Sequence, residues 1–117
     1  LARVVERLEP NAEACAAAAS NPLLLATDLA DHLVLQGLPF REAHHAVGAL
    51  VALAEKLETP LNEIAEADAR KIAPKLGANW RDVFNTARAL SAREKPGMPG
   101  PKQVAAQIAR WKNLLKE

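Results

Sequence analysis

The sequence predicts an all-α fold: a small multi-helix domain with a helix-turn-helix hairpin and a long amphipathic central helix. Three observations carry this. Apolar residues recur at steps of three and four over Phe40–Leu57, where Phe40, Ala43, Val47, Leu50, Val51, Ala54 and Leu57 fall on one face. Aromatic residues make up 3% of the chain and alanine dominates it, a balance that favours helix over strand. Start and stop residues stand where separate helices need them, and no stretch alternates with a period of two.

Leu1–Leu8, with Val4, Val5 and Leu8 apolar, reads as the end of a helix. Pro10 closes it, because proline disfavours helical geometry in the residue before it. Residues 1–10 are therefore read as the end of a preceding helix and 11–117 as the domain. Asn11 is a good N-cap for an alanine-rich helix over Ala12–Ala19, whose small side chains suit packing against another long helix. Cys15 within it reads as a small buried hydrophobe. Asn21-Pro22 breaks the run. Leu23, Leu24 and Leu25 form an apolar linker of a kind normally buried.

The stretch Ala26–Gly48 organises the rest. Thr27 and Asp28 read as a helix opening, with a side-chain oxygen accepting from the free N–H groups of the first turn and the acid favoured by the helix dipole. Leu29, Leu33 and either Val34 or Leu35 supply the apolar stripe. Gly37 sits where a left-handed cap costs glycine little. Pro39 stands where the second helix begins, its φ already suited to that place. The long helix then runs from about Pro39 to Leu57 or Glu58. Gly48 within it costs about 1 kcal/mol relative to alanine, and a close helix crossing is the simplest reason to tolerate it.

Thr59-Pro60 starts a new segment, with one helical turn at Leu61, Ile64 and Ala65. Asp68 opens a short helix carrying Ile72 and Leu76, limited by Pro74 and ended by Gly77. Asn79 is placed to cap a helix with Trp80, Val83 and Phe84 that continues through Ala87 and Leu90 to about Ser91. Lys95–Pro101 holds three prolines and two glycines and is a loop. Pro101 fits the first turn of a last helix, on which Val104, Ile108, Trp111 and Leu115 share a face.

Composition bounds the function. The 117 residues suit one domain, half hydrophobic and a quarter charged. A lone cysteine excludes an internal disulfide and fits a reducing compartment, hence a cytoplasmic location. No apolar run approaches a membrane span and no signal-peptide pattern opens the chain. The first residue is Leu1, which fits a fragment, a processed chain or a chain whose beginning is missing. Residues 1–58 hold four Lys/Arg against eight Asp/Glu, and residues 59–117 hold eleven against six. The basic charges of the second half alternate with acids, so they read as a solvated surface and not as a nucleic-acid site. A DNA-reading second helix needs basic and amide side chains at its start, whereas here Arg41 and Lys56 face Glu42, Glu55 and Glu58.

No metal site is expected. His44 and His45 are adjacent on a helix, about 100° apart, and neither joins His32 in a ligand pattern. His44, beside Phe40, Val47 and Gly48, reads as a partly buried, hydrogen-bonded histidine. Asp31 is left to pair with a residue elsewhere, and Arg41 with Glu42 reads as a salt bridge tying the hairpin together. Ser20 and Ser91 lack the context of a nucleophile. By themselves the residues show a helical domain without a visible active site.

The run Ala26–Val34, ATDLADHLV, followed by Gly37–His44, GLPFREAH, with Val47 and Gly48, resembles the start of the C-terminal domain of argininosuccinate lyase, of the fumarase/aspartase superfamily. Val104 and Gln107 fit the V-x-x-Q pattern of that family's final helix. The chain departs from the family at His32, where tyrosine is common, and at Met98, Pro99 and Gly100. The family motif residues here are Thr27, Asp28, Asp31, Gly37, Pro39, Phe40, Arg41, Glu42, His44 and Gly48, all read as structural. The resemblance implies a homotetrameric, cofactor-free lyase that cleaves argininosuccinate to arginine and fumarate, with residues 1–10 as the end of a central-bundle helix. The family's catalytic serine lies in a G-S-S-x-M-P-x-K-x-N loop, and this motif is absent from the chain. No catalytic residue can then be carried over, and the chain alone is expected to be inactive. The remainder of the lyase chain is the implied partner. A free-standing interaction or regulatory module of the same ancestry is the alternative, and a DNA-binding hairpin a more remote one.

Overall fold

The computed structural model describes residues 2–116, and Leu1 lies outside them. Seven α-helices follow one another among these residues: α1 Ala2–Val5, α2 Ala12–Ala19, α3 Ala26–Leu35, α4 Phe40–Lys56, α5 Glu66–Ile72, α6 Thr86–Ser91 and α7 Pro101–Leu114. Short 3-10 helices at Pro22–Leu25, Leu61–Glu63 and Trp80–Phe84 join them. The described residues contain no strand, so the all-α expectation holds.

The core is a layer around the α3–α4 hairpin. Leu29, Ala30 and Leu33 of α3 meet Ala43, Val47, Leu50 and Ala54 of α4, the three-and-four spacing of a buried face. Leu61, Ile64, Ala69, Ala73 and Leu76 close one side, and Trp80 is wholly buried among them. Trp80 and Phe84 meet edge to face at 5.8 Å.

The hairpin joint is a Schellman cap. Gly37 takes φ +88°, its N–H donates to the Val34 carbonyl at 2.9 Å, and the Leu38 N–H donates to the Leu33 carbonyl at 3.1 Å. Pro39 sits one place earlier than a first-turn proline: it is the N-cap, at ψ 140°, and its carbonyl accepts from the Ala43 N–H. Helix α4 closes with the same pair of bonds, Glu58 to Glu55 and Thr59 to Ala54, but the left-handed position is held by Glu58 at φ +48°.

Several expectations are corrected. Helix α1 stops at Val5, short of Leu8. Helix α3 begins at Ala26, so Thr27 and Asp28 are its second and third residues and neither side chain caps it; the preceding 3-10 helix delivers the chain instead. Leu35 is exposed and Val34 half-buried, which settles their order on the stripe. Phe40 is 64% exposed, since the face that Ala43 and Val47 bury lies to one side of it. A Cβ added at Gly48 meets nothing within 4 Å, so no close crossing explains that glycine. No residue of α2 is fully buried and Cys15 is exposed, and Leu23 and Leu24 are exposed. Leu76 lies beyond α5, and the stretch expected as one helix after Asn79 is two. Asn85 divides it and caps the second, accepting from the Arg88 N–H at 3.0 Å. Asn79 makes no side-chain cap.

Candidate functional site

A cleft of about 590 Å³ lies between α3, the 3-10 helix Trp80–Phe84 and α6, lined by Asp28, Asp31, His32, Asp82, Arg88 and Arg93 among others. Polar and charged side chains dominate its lining, which holds part of the family motif. Its charges are largely committed to one another. Arg93 Nη2 donates to Asp28 Oδ1 at 2.6 Å and its Nη1 to the Ala89 carbonyl at 2.6 Å. Arg88 Nη1 donates to Asp82 Oδ2 at 2.7 Å. Asp28 lies in the first turn of α3, where the helix dipole also favours a carboxylate. The His32 Nε2 atom is buried without a partner. Asp31 lines the cleft but forms no ion pair among the described residues.

The rest of the motif points elsewhere. Arg41, Glu42, His44 and Gly48 lie on the exposed side of α4, with the Phe40 and His44 rings 6.2 Å apart. His44 is thus exposed and not partly buried, because α4 turns its Ala43–Val47 edge to the core. The expected Arg41–Glu42 tie is absent among the described residues. A different cation ties the hairpin joint: Lys75 Nζ donates to the Gly37 carbonyl at 3.2 Å.

Two arginines carry packing roles that sequence reading missed. Arg81 lies over the Trp80 ring at 4.6 Å, donates from Nε to the Asn62 carbonyl at 3.0 Å and from Nη2 to the Ile64 carbonyl at 2.7 Å. A planar fork with five donors suits this double task. Arg93 also donates twice, to the Ala89 carbonyl of α6 and to Asp28 of α3. Apart from Ala89, the partners of the two arginines stand 17 to 65 residues away and leave no local sequence signal.

Among the described residues no group of three or more His, Cys, Asp and Glu side chains is placed to hold a metal ion, and no helix is long and apolar enough to cross a membrane. In the cleft two ion pairs fasten the chain to itself. The fold is that of an all-helical domain.

The model of the argininosuccinate lyase C-terminal family matches residues 23–91. The argininosuccinate lyase of Nitratidesulfovibrio vulgaris is 48% identical over 94 residues, covering 80% of this chain and 20% of that protein. That of Bartonella bacilliformis is 39% identical over 113 residues, 96% of this chain and 24% of the protein. That of Chloroflexus aurantiacus is 41% identical over 99 residues, 85% and 22%. The chain belongs to the argininosuccinate lyase C-terminal domain family. It spans about a fifth to a quarter of the length of the curated relatives it matches.

Proposed function

We propose that these residues serve as the C-terminal domain of an argininosuccinate lyase, a carbon–nitrogen lyase of arginine biosynthesis. The full-length enzyme, a cytoplasmic homotetramer, cleaves argininosuccinate to arginine and fumarate without a cofactor or metal. In that reaction a base removes a proton from the carbon beside a carboxylate while an acid assists the departing guanidinium nitrogen. This domain supplies neither group. Residues 1–10 are the end of a central-bundle helix, and residues 11–117 pack on the bundle end and support the architecture in which several subunits build each active site. The motif residues Thr27, Asp28, Asp31, Gly37, Pro39, Phe40, Arg41, Glu42, His44 and Gly48 act through structure alone. Neither nucleic acid nor membrane is a partner.

The observation that supports this reading most is the match of four-fifths of the chain to one-fifth of a lyase at 48% identity. The test is the intact mass of the native polypeptide containing this stretch, with a lyase assay on that polypeptide and on the 117 residues alone. A polypeptide several times larger, active when whole and inactive as the 117 residues, is expected. A native chain of 117 residues would overturn the enzyme assignment in favour of a free-standing module, and activity in the 117 residues would place catalytic groups where none is assigned.

A further inference from the structure

Helix α7 is amphipathic, yet none of its residues is buried. Ile108 is 51% exposed, Trp111 57% and Leu115 82%, with Val104 and Met98 also open. Together with Gly97 these residues line an apolar groove of about 450 Å³ between the preceding loop and the helix. The helix itself is firmly aimed. Its N-cap Gly100 is buried, and a Cβ there would lie 2.1 Å from the Arg93 carbonyl oxygen; Gln103 Nε2 donates to the Glu94 carbonyl at 2.9 Å. The long axis of the chain measures 59 Å, and its radius of gyration of 18.3 Å exceeds the ~13 Å of a compact domain near this length. The domain therefore holds α7 by its start and leaves its apolar face unpaired.

We propose that this face is the docking seam for the part of the lyase polypeptide that precedes the domain, and that the occupant is a helix carrying an acidic side chain beside its apolar stripe. The inference rests on the lyase reading above. Its occupant is argued from length and charge. The matching family is a C-terminal one and the relatives are about four times longer, so about three-quarters of such a polypeptide lies before the domain. Along α7 and its exit, Lys102, Arg110, Lys112 and Lys116 are basic and no acid stands among residues 101–116, so the helix as a whole is positive. Lys112 lines the groove itself, whereas Lys102 and Arg110 fall toward the other side of the helix. A helix packing on Val104, Ile108 and Trp111 meets Lys112 at the edge of the groove, and an acid on the occupant sets its register there. Helix-on-helix burial of an i, i+4, i+7 stripe is the ordinary way such a face is covered.

The test places the photo-crosslinker p-benzoylphenylalanine in the full-length polypeptide, at position 108 in one variant and at position 113, on the far side of α7, in another. The position-108 probe is expected to give an adduct with a peptide N-terminal to this domain, from an acid-bearing helix, and the position-113 probe none above background. An adduct between two copies of α7, or no protein adduct at position 108, overturns the proposal. A lyase assay on the unsubstituted polypeptide separates the two claims. An adduct in a polypeptide without lyase activity leaves the seam and removes the reading, and an active lyase without the adduct does the reverse.

Discussion

Arg93 stands 65 residues from Asp28 in sequence, and its guanidinium lies 2.6 Å from the Asp28 carboxylate. The pair joins the end of α6 to the first turn of α3, so it fastens the last part of the domain to the central hairpin. Side-chain exposures of 33% and 19% place it between a surface pair and a buried one. Such a bond contributes more than an exposed ion pair, which is worth at most ~1 kcal/mol, and less than a fully desolvated one. Arg93→Ala is expected to lower the stability of the domain by about 1–2 kcal/mol, through the lost charge-assisted bonds to Asp28 and Ala89. A double-mutant cycle with Asp28→Asn checks it. Additive losses would mean that Arg93 acts only through Ala89.

Glu58 offers the opposite sign. It holds φ +48° at the left-handed position that ends α4, a conformation costing a side chain with a Cβ roughly 1 kcal/mol or more. The Schellman bonds to Ala54 and Glu55 require that conformation. Glu58→Gly is expected to stabilise the domain by about 0.5–1 kcal/mol, and Glu58→Val to destabilise it. Thermal unfolding by circular dichroism distinguishes the two.

Gly48 lies inside α4 with open space where a Cβ would be. Gly48→Ala is therefore expected to stabilise the 117-residue chain by about 1 kcal/mol. The same change in the full-length polypeptide is informative, because Gly48 shares the exposed side of α4 with Phe40 and His44. A loss of stability there, beside a gain in the short chain, would locate a close contact made by the rest of a longer polypeptide. A gain in both would leave the glycine without a packing role.

The hairpin was legible because its signals are local: a glycine after the last apolar residue, a proline at the next start, and a three-and-four stripe. Several misses share one physical origin. Periodicity places Phe40, Leu57 and the α7 stripe on apolar faces, but it does not say how far each face is covered, and here the ends of the α4 face and the whole α7 face stay open. Thr27 and Asp28 look like caps because capping residues and first-turn residues have similar chemistry; the 3-10 helix before them decides the register. The cleft was hardest to read. Asp28, Asp82, Arg88 and Arg93 meet only through the fold, and the ends of an ion pair 65 residues apart carry no spacing rule.

Gly100 joins the loop to α7 under a steric constraint. A Cβ there would sit 2.1 Å from the Arg93 carbonyl oxygen and 2.7 Å from its carbon, both backbone atoms that no rotamer change can clear. Gly100→Ala must shift the turn and so disturb Arg93, whose side chain holds Asp28. A loss of about 2 kcal/mol is expected, in the range of overpacked sites. Gly97 gives the control, since a Cβ there meets nothing although its φ is +85°; Gly97→Asn, which tolerates that backbone, is expected to cost well under 1 kcal/mol. Equal losses at the two positions, measured by denaturant unfolding, would refute the steric account.

Trp80 is the largest wholly buried side chain, and it reports on the core as well as filling it. Trp80→Ala removes an indole from contact with the α3–α4 hairpin and takes away the platform beneath Arg81. Losses of this kind run to about 3–5 kcal/mol, a large share of the ~5–15 kcal/mol that holds an ordinary domain together. The variant is expected to unfold at a much lower denaturant concentration than the parent chain. Trp80→Phe is milder: it leaves a void but removes an indole N–H that is buried without a partner, and the two effects oppose each other. The chain's other tryptophan, Trp111, is exposed. In the 117-residue protein, Trp80→Phe should therefore leave red-shifted fluorescence that is freely quenched by acrylamide, while Trp111→Phe leaves blue-shifted, protected emission. Protected emission from Trp111 in the short chain would mean that copies of α7 pair with one another when nothing else covers that face.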